Sequence, residues 1–343
     1  MKKIIYLIGA GATQAEMDHA GVEADTTMAG ISENVLEMSR NNSGPYSKLI
    51  EKLGTTTQQD IELMISLCEG SCDPASRQFS EVSDELRKLF RKYLISQISN
   101  IKTPRLLTTL LHLHSKYAKF MGKDGEEILG ILTTNYDTLL EEACFSINGG
   151  INAGVKFHSV DYKPQPAVPP ILKLHGSFNW NIQRNSLQIS REVTLDEGEF
   201  SGWVPPSVFK KPVGIFQRIW NQASNLLVEC DTLRVIGSSL RNEDWSLIAL
   251  VFTSQVIKRT PTFDIELIVK EKSANDEELN RGILQRLPFL AKAKPPSLME
   301  IFSDGWNDAN IFLDWLNNKV TEIHSKTETV DDDILIKNAI GWT

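Results

Sequence analysis

Short runs of Ile, Leu and Val recur along the chain, and each run is nearly continuous rather than alternating with polar residues. Strands that are covered by helices on both faces show this pattern. The runs predict parallel strands at residues 4–8, 128–132, 171–174, 233–236 and 265–269. Gly, Asn or Ser follows most of them within a residue or two. We therefore predict an α/β fold with a doubly wound, Rossmann-like parallel sheet.

The long stretch between the first two predicted strands has the periodicity of helices instead. One apolar stripe at i, i+3, i+4 spacing is formed by Leu86, Leu89, Phe90, Tyr93, Leu94 and Ile98. Such a stripe is typical of an amphipathic helix that packs on a core. The pattern predicts a large helical insert at about residues 45–125, followed by the remaining strands.

Composition and charge narrow the class of protein. The 343 residues are 41% hydrophobic, which suits a globular α/β chain. The net charge of -8 repels phosphate backbones at long range, so direct nucleic-acid binding is not expected. No apolar stretch reaches the ~20 residues of a membrane span. The run at residues 4–8 is short for a signal sequence, so we expect a cytoplasmic protein without a membrane segment.

The cysteines argue against both a disulfide scaffold and a metal site. The chain has four, of which Cys68 and Cys72 form a single CxxxC pair, whereas Cys144 and Cys230 stand alone. Structural zinc sites use paired CxxC motifs or equivalent clusters, which this sequence lacks. We expect reduced, mostly buried thiols of a cytosolic protein and no bound metal.

Glycines follow the first predicted strand directly, in the segment GAGAT at residues 9–13. Glycine lets backbone N–H groups approach a pyrophosphate, and the N-terminus of a following helix favours the negative charge. Gln14 stands where a GxGxxG fingerprint would have its third glycine. A tight strand-to-helix turn without a ligand therefore remains an open alternative.

Polar residues also follow the second predicted strand, in the segment TTNYD at residues 133–137. Asn135 and Asp137 are two apart, so an amide and a carboxylate can enter one crevice at the end of this strand. The alternative is structural, because Asn and Asp are common caps of a helix such as the one predicted at residues 138–144.

Two further loops complete the set. Residues 173–177, KLHGS, place His175 at the end of the third strand, where an imidazole is suited to proton transfer near neutral pH. Residues 237–240, GSSL, follow the fourth strand, and Asp244 comes shortly after them. The carboxyl ends of parallel strands meet at one edge of a sheet. We therefore expect all four loops to line one nucleotide-binding crevice.

These four segments resemble the motifs of sirtuin-like proteins and occur in the same order. TTNYD, KLHGS with Phe178 behind it, and the acidic Asp244 are similar to the bacterial sirtuin-like branch rather than to protein deacetylases. The WVPP segment at residues 203–206 and Lys211 resemble the Pro-Pro loop of that branch. The resemblance spans roughly residues 3–270. It implies a sirtuin-like NAD-binding catalytic domain over residues 1–325 and a polar C-terminal tail over residues 326–343.

The resemblance also implies a role for each matched residue. The pyrophosphate of NAD would be held by Gly9, Ala10, Gly11 and Thr13. Asn135 would lie beside the nicotinamide ribose and orient the attacking water, and Asp137 would contact the carboxamide. His175 would act on a ribose hydroxyl or on that water. Further contacts to NAD, mainly on its adenosine side, are expected from Thr134, Gly237, Ser238, Ser239 and Asp244.

This chain departs from the deacetylases of the family. Their four-cysteine zinc module is absent, and Thr134 stands where they have Gln before the Asn. Lys270 follows the last predicted strand, where an Asn often contacts adenosine in the family. These differences weaken the expectation of deacetylase activity and of that adenosine contact.

The implied activity is hydrolysis of NAD, as substrate, to ADP-ribose and nicotinamide in abortive anti-phage defence. Because such an enzyme must be held inactive until needed, we expect a homo-oligomer or a regulatory partner. A HerA-type ATPase and an argonaute-like protein are examples of such partners. Two alternatives stay open: an NAD-dependent protein deacylase or ADP-ribosyl transferase, and a non-catalytic sensor of NAD or ADP-ribose.

Overall fold

The structure is a computed structural model. It describes residues 2–53, 60–70, 77–101, 103–108, 110–111, 126–184, 186–193, 202–206, 212–238, 240, 244–258, 263–268 and 297–298. Several features of the sequence analysis lie outside these residues, namely Cys72, Lys211, Ser239, Lys270 and the tail at residues 326–343.

The described elements include one run of five helices and one run of four strands, and single helices separate most of the remaining strands. In chain order they are β1 (Lys2–Ile8), α1 (Ala10–His19), α2 (Met28–Asn41), α3 (Pro45–Leu53), α4 (Ile61–Glu69), α5 (Arg77–Ile98), β2 (Glu126–Thr133), α6 (Leu139–Asn148), β3 (Phe157–His158), β4 (Ile171–Lys173), β5 (Trp180–Gln183), β6 (Ser186–Ile189), α7 (Ile215–Glu229), β7 (Thr232–Ile236), α8 (Trp245–Lys258), β8 (Asp264–Ile268) and β9 (Ser297–Leu298).

The central sheet has the strand order β4-β2-β1-β7-β8-β9, and its described pairings are all parallel. β1 lies in the middle of the sheet and is buried from Ile4 to Ile8. The chain runs outward from β1 to β2 and β4, then returns to β7 on the other side of β1. This reversal beside β1 is the topological switch point at which doubly wound folds bind ligands. The predicted fold class is confirmed.

The predicted apolar runs all coincide with strands of this sheet, within a residue or two at each end. A second, three-stranded sheet with the order β3-β6-β5 has no counterpart in the predictions. Its strands are two to four residues long, too short for a periodic pattern. This small sheet takes β3 from the crossover between β2 and β4 and takes β5 and β6 from the segment after β4, and sequence periodicity does not reveal it.

Helices α2 to α5 form a second hydrophobic core beside the sheet. The predicted stripe lies on α5, where Leu86 and Phe90 are fully buried and α2, α3 and α4 pack around the helix. The helical layer already begins with α2, at Met28, upstream of residue 45. α4 begins at its N-cap Asp60, whose carboxylate accepts from Glu62 N at 2.7 Å and Leu63 N at 3.3 Å.

The described cysteines and helices give no sign of disulfides or of a membrane-spanning helix. The thiols of Cys68, Cys144 and Cys230 are free and buried. Burial raises the pKa of the Cys144 thiol to about 11, so it stays protonated and unreactive at neutral pH. None of the described helices combines the length and the apolar character that crossing a bilayer requires.

Candidate active site

The loops after β1 and β7 are joined through their backbones. Gly9 N donates to Ile236 O at 2.9 Å, and Gly11 N donates to Gly237 O at 2.8 Å. A Cβ on Gly9 would lie 2.6 Å from Gly237 O, and one on Gly11 would lie 2.8 Å from Gly237 Cα. Side chains at these positions would push the two loops apart. The glycines are therefore needed for the contact between loops, and the tight-turn alternative describes part of their role.

Asn135 connects the loop after β2 to the loop after β1. Its Nδ2 atom donates to Gly9 O and to Thr13 Oγ1, at 2.9 Å each. The backbone of the loop is fixed as well, because Asn135 N donates to Thr133 Oγ1 at 3.1 Å. Thr133 Oγ1 in turn donates to Ile8 O at 2.9 Å. The Asn135 amide therefore lies at the carboxyl end of β1 with a defined orientation.

Asp137 is buried, and the protein engages both of its carboxylate oxygens. Thr13 Oγ1 donates to Oδ2 at 2.6 Å, and Leu139 N donates to Oδ1 at 3.0 Å. The second bond satisfies a backbone donor in the first turn of α6, which is the structural role left open for this residue. Thr13 in α1 and Asn135 and Asp137 in the loop after β2 thus form one hydrogen-bonded group.

A buried ion pair between Lys173 and Glu141 lies next to Asp137. Lys173 Nζ lies 3.2 Å from Glu141 Oε2, and the two side chains are 1% and 3% exposed. The ammonium also donates to the backbone carbonyl of Asp137. Burial raises the pKa of Glu141, and the charge of Lys173 opposes that rise. Sequence analysis missed this pair, although Glu141 stands one helical turn after Asp137.

His175 is buried between two aromatic rings. Its ring centroid lies 6.2 Å from that of Tyr136 and 6.4 Å from that of Trp220. Trp220 is itself held by a 2.8 Å hydrogen bond from Nε1 to Leu174 O. The next residue, Gly176, has a φ of +73°, and a Cβ there would lie 2.2 Å from Gly202 O. The imidazole therefore packs near two aromatic rings, beside the loop that carries Asn135.

An aromatic cluster ties the helical layer to the site. Phe90 on α5 stacks on Trp203 with centroids 6.0 Å apart and meets Tyr136 edge-on at 5.6 Å. Tyr136 stacks on Phe178 at 5.3 Å and donates from its hydroxyl to Val204 O at 2.8 Å. Sequence analysis assigned Phe90 only to an amphipathic stripe. The structure shows that this stripe continues into the wall beside His175.

The remaining predicted residues lie around this centre. Ala10 is half-buried in the first turn of α1, whose N-terminus suits an anion, and Thr134 is half-buried beside Asn135. Ser238 is half-buried on the side of β7, where its Oγ accepts from Leu240 N at 3.4 Å. Asp244 is half-buried directly before α8. The structure brings Gly9, Thr13, Asn135 and Asp137 into direct contact, and Tyr136 connects them to His175.

Comparison with known proteins agrees with the motifs. Residues 129–278 match the profile of the SIR2-like domain, a range that is less than half of the chain. This range contains the loops after β2, β4 and β7, whereas the loop after β1 lies outside it. Among curated proteins, no match was found.

Solved structures give weaker likenesses over most of the chain. A Sir2 homologue in complex with NAD is 12% identical, with 95% of this chain and 90% of that chain covered and a TM-score of 0.45. A mutant Sir2 homologue with 2′-O-acetyl ADP ribose is 13% identical, covers 85% and 93%, and has a TM-score of 0.40. Sir2 bound to an acetylated peptide is 14% identical, covers 93% and 92%, and has a TM-score of 0.38. The ligands are those of the proteins named.

Proposed function

We propose that this protein hydrolyses NAD to ADP-ribose and nicotinamide. The observation that carries the proposal is the hydrogen-bonded group of Thr13, Asn135 and Asp137, which lies at the switch point of the sheet. The ring centroid of His175 lies 6.2 Å from that of Tyr136, the residue between Asn135 and Asp137. The SIR2-like match supports it, because residues 129–278 include Asn135, Asp137 and His175.

The chemistry requires polar groups around a ribose carbon that becomes positively charged. Water forms a bond to C1 of the ribose, and the bond to the nicotinamide nitrogen breaks with its electron pair leaving on nicotinamide. The proton of the water goes to His175, whose imidazole packs near Tyr136 and Trp220 and can act as the base near neutral pH. The Asn135 amide orients the water and stabilises the developing charge.

The remaining substrate contacts follow from the position of the loops. The N-terminus of α1, with Ala10 in its first turn, is suited to the pyrophosphate. Ser238 and Asp244 on the side of β7 are suited to the adenosine hydroxyls, and the sequence motif assigns Ser239 to the same part of the substrate. We propose that the catalytic domain spans residues 1–325, with the helical insert and the tail at residues 326–343 as additions to it.

We further propose that the enzyme acts in the cytoplasm in abortive anti-phage defence. A protein that drains cellular NAD must be inactive until a signal arrives. Assembly into a homo-oligomer, or contact with a regulatory partner such as a HerA-type ATPase or an argonaute-like protein, would supply that control. The buried free thiols of Cys68, Cys144 and Cys230 suit a reducing compartment.

The test is nicotinamide release from NAD by purified protein, alone and with lysate from phage-infected cells. We expect Asn135→Ala and His175→Ala to lower kcat by about 10²–10³-fold, since each removes one positioned catalytic group. Asn34→Ala is the matched control, because it removes a half-buried amide that bonds to Gly30 O within α2. Binding of NAD without any release, with or without lysate, would indicate a sensor instead. Release that requires an acyl-lysine peptide would indicate a deacylase.

A further inference from the structure

The orientation of the Asn135 amide follows from its partners. One side-chain atom lies 2.9 Å from the carbonyl oxygen of Gly9, which can only accept a hydrogen bond. The atom facing it must therefore be the nitrogen. The same nitrogen lies 2.9 Å from Thr13 Oγ1, so both of its N–H groups are used within the protein. The group that the amide can offer to a bound molecule is the acceptor Oδ1.

The Thr13 hydroxyl donates its proton to Asp137. Thr13 Oγ1 lies 2.6 Å from Asp137 Oδ2, and an ionised carboxylate only accepts hydrogen bonds. The hydroxyl therefore donates its single proton to Asp137 and receives the amide of Asn135 on a lone pair. Leu139 N fixes the other carboxylate oxygen at 3.0 Å. The Asp137 carboxylate thus sets the direction of the Thr13 bonds, which agrees with the amide orientation that Gly9 O requires.

We propose that Thr13 is a positioning residue that keeps Oδ1 of Asn135 directed at the attacking water. The relay is the chain of hydrogen bonds from Asp137 through Thr13 to Asn135, and the Asp137 carboxylate is its fixed end. This inference rests on the proposed hydrolysis of NAD. An acceptor at this position takes one proton of a water molecule and turns an oxygen lone pair of that water towards the ribose carbon. A donor at the same position would occupy that lone pair and block the attack.

This role excludes a hydrogen bond from the Thr13 hydroxyl to the pyrophosphate, the group that the family resemblance implies Thr13 helps to hold. A hydroxyl that holds the pyrophosphate must donate its proton to a phosphate oxygen. Thr13 has only one proton, and the 2.6 Å bond to Asp137 uses it. The two roles also differ in kinetics. Loss of a substrate contact raises KM, whereas loss of a positioning contact lowers kcat.

The kinetic experiment compares Thr13→Val, Thr13→Ser and Thr232→Val on NAD. Thr232→Val is the matched control, since this Thr is buried at the far end of β7 and its hydroxyl has no hydrogen-bond partner among the described residues. We expect Thr13→Val to lower kcat by about 10- to 100-fold with KM changed by less than about threefold, and Thr13→Ser to restore kcat to within about fivefold. A higher KM with unchanged kcat in Thr13→Val would overturn the proposal.

A second measurement does not depend on activity. NMR spectra of protein labelled with ¹⁵N-asparagine show the side-chain amide signals. The signals of Asn135 are those that are missing from the spectrum of Asn135→Ala. We expect their hydrogens to exchange slowly with water in the wild type and in Thr13→Ser, and about tenfold faster in Thr13→Val. Equal exchange in the wild type and Thr13→Val would refute the relay. If the wild type released no nicotinamide, with or without lysate from phage-infected cells, hydrolysis would fail as a function, and the exchange rates would still decide whether Thr13 holds the Asn135 amide.

Discussion

Two loops at the same edge of the sheet are held in opposite ways. The loop after β2 is fixed through side chains: Thr13 binds the Asp137 carboxylate, and Lys173 binds the carbonyl of the same residue. The loop after β7 is fixed through its backbone, where Gly237 O accepts from Gly11 N and the glycines allow close approach. Both loops follow strands that pair directly with β1, so the difference does not come from their place in the sheet.

The difference matches the tasks proposed for the two loops. Catalysis needs the Asn135 amide in a fixed hydrogen-bond direction, and the side-chain network of Thr13 and Asp137 provides it. Binding needs a loop in a fixed place with side chains still available, and a backbone contact between glycines provides that. Substitutions in the two loops should therefore differ in their effects on the free energy of unfolding, kcat and KM.

The largest effect is expected for Lys173→Met, which removes the support of the loop after β2. The substitution leaves the carboxylate of Glu141 buried without its cation, which typically costs about 3–5 kcal/mol of the free energy of unfolding. Urea denaturation at neutral pH measures this loss. Lys258→Met is the matched control, because that ammonium lies 4.0 Å from an exposed Asp231 carboxylate, and such pairs contribute about 0–1 kcal/mol.

The stability of Lys173→Met should also depend on pH with a defined sign. Burial already raises the pKa of Glu141 above 4.5, and loss of the Lys173 charge raises it further. The folded variant then holds this proton more tightly than the unfolded chain. Its stability is therefore highest below the unfolded pKa and falls as pH rises through the folded pKa. The double variant Lys173→Met/Glu141→Gln should lose this dependence; if it keeps it, another group is responsible.

A smaller effect is expected for Gly237→Ala, which acts on the loop after β7. The φ of +63° strains any other residue, and the new Cβ would lie 2.3 Å from Ala12 N. We expect a loss of about 2–4 kcal/mol in the free energy of unfolding. Gly149→Ala is the matched control, with a φ of +66° and nothing within 4 Å of the new Cβ, and should cost about 1 kcal/mol. Equal losses would show that the contact between the loops contributes nothing.

The smallest effect is expected for Ser238→Ala, which keeps the backbone contact and removes one hydroxyl. Its bond from Leu240 N is long, at 3.4 Å, so the fold should change little. A lost neutral hydrogen bond of about 0.5–1 kcal/mol raises KM for NAD by about two- to fivefold and leaves kcat unchanged. Steady-state nicotinamide release distinguishes the two parameters. A fall in kcat instead would mean that this loop takes part in the chemistry.

Much of the site could be predicted because it follows local patterns. An apolar run marks each of β1, β2, β4, β7 and β8, and the chemical side chains come within a few residues of the strand end, as with Asn135 after β2 and His175 after β4. The direction of parallel strands then brings these ends together. The small sheet β3-β6-β5 could not be predicted, since strands of two to four residues have no detectable period.

The sequence by itself determined the parallel sheet, the stripe on α5 and the residues at the strand ends, because each depends on neighbours in the chain. Only the tertiary structure decided which of those residues bond to one another. Thr13 and Asp137 are 124 positions apart, and Lys173 and Glu141 are 32 apart. Phe90 joins the site only because α5 folds back onto Tyr136. Burial gives these contacts their strength, and no local pattern records which distant side chains will be buried together.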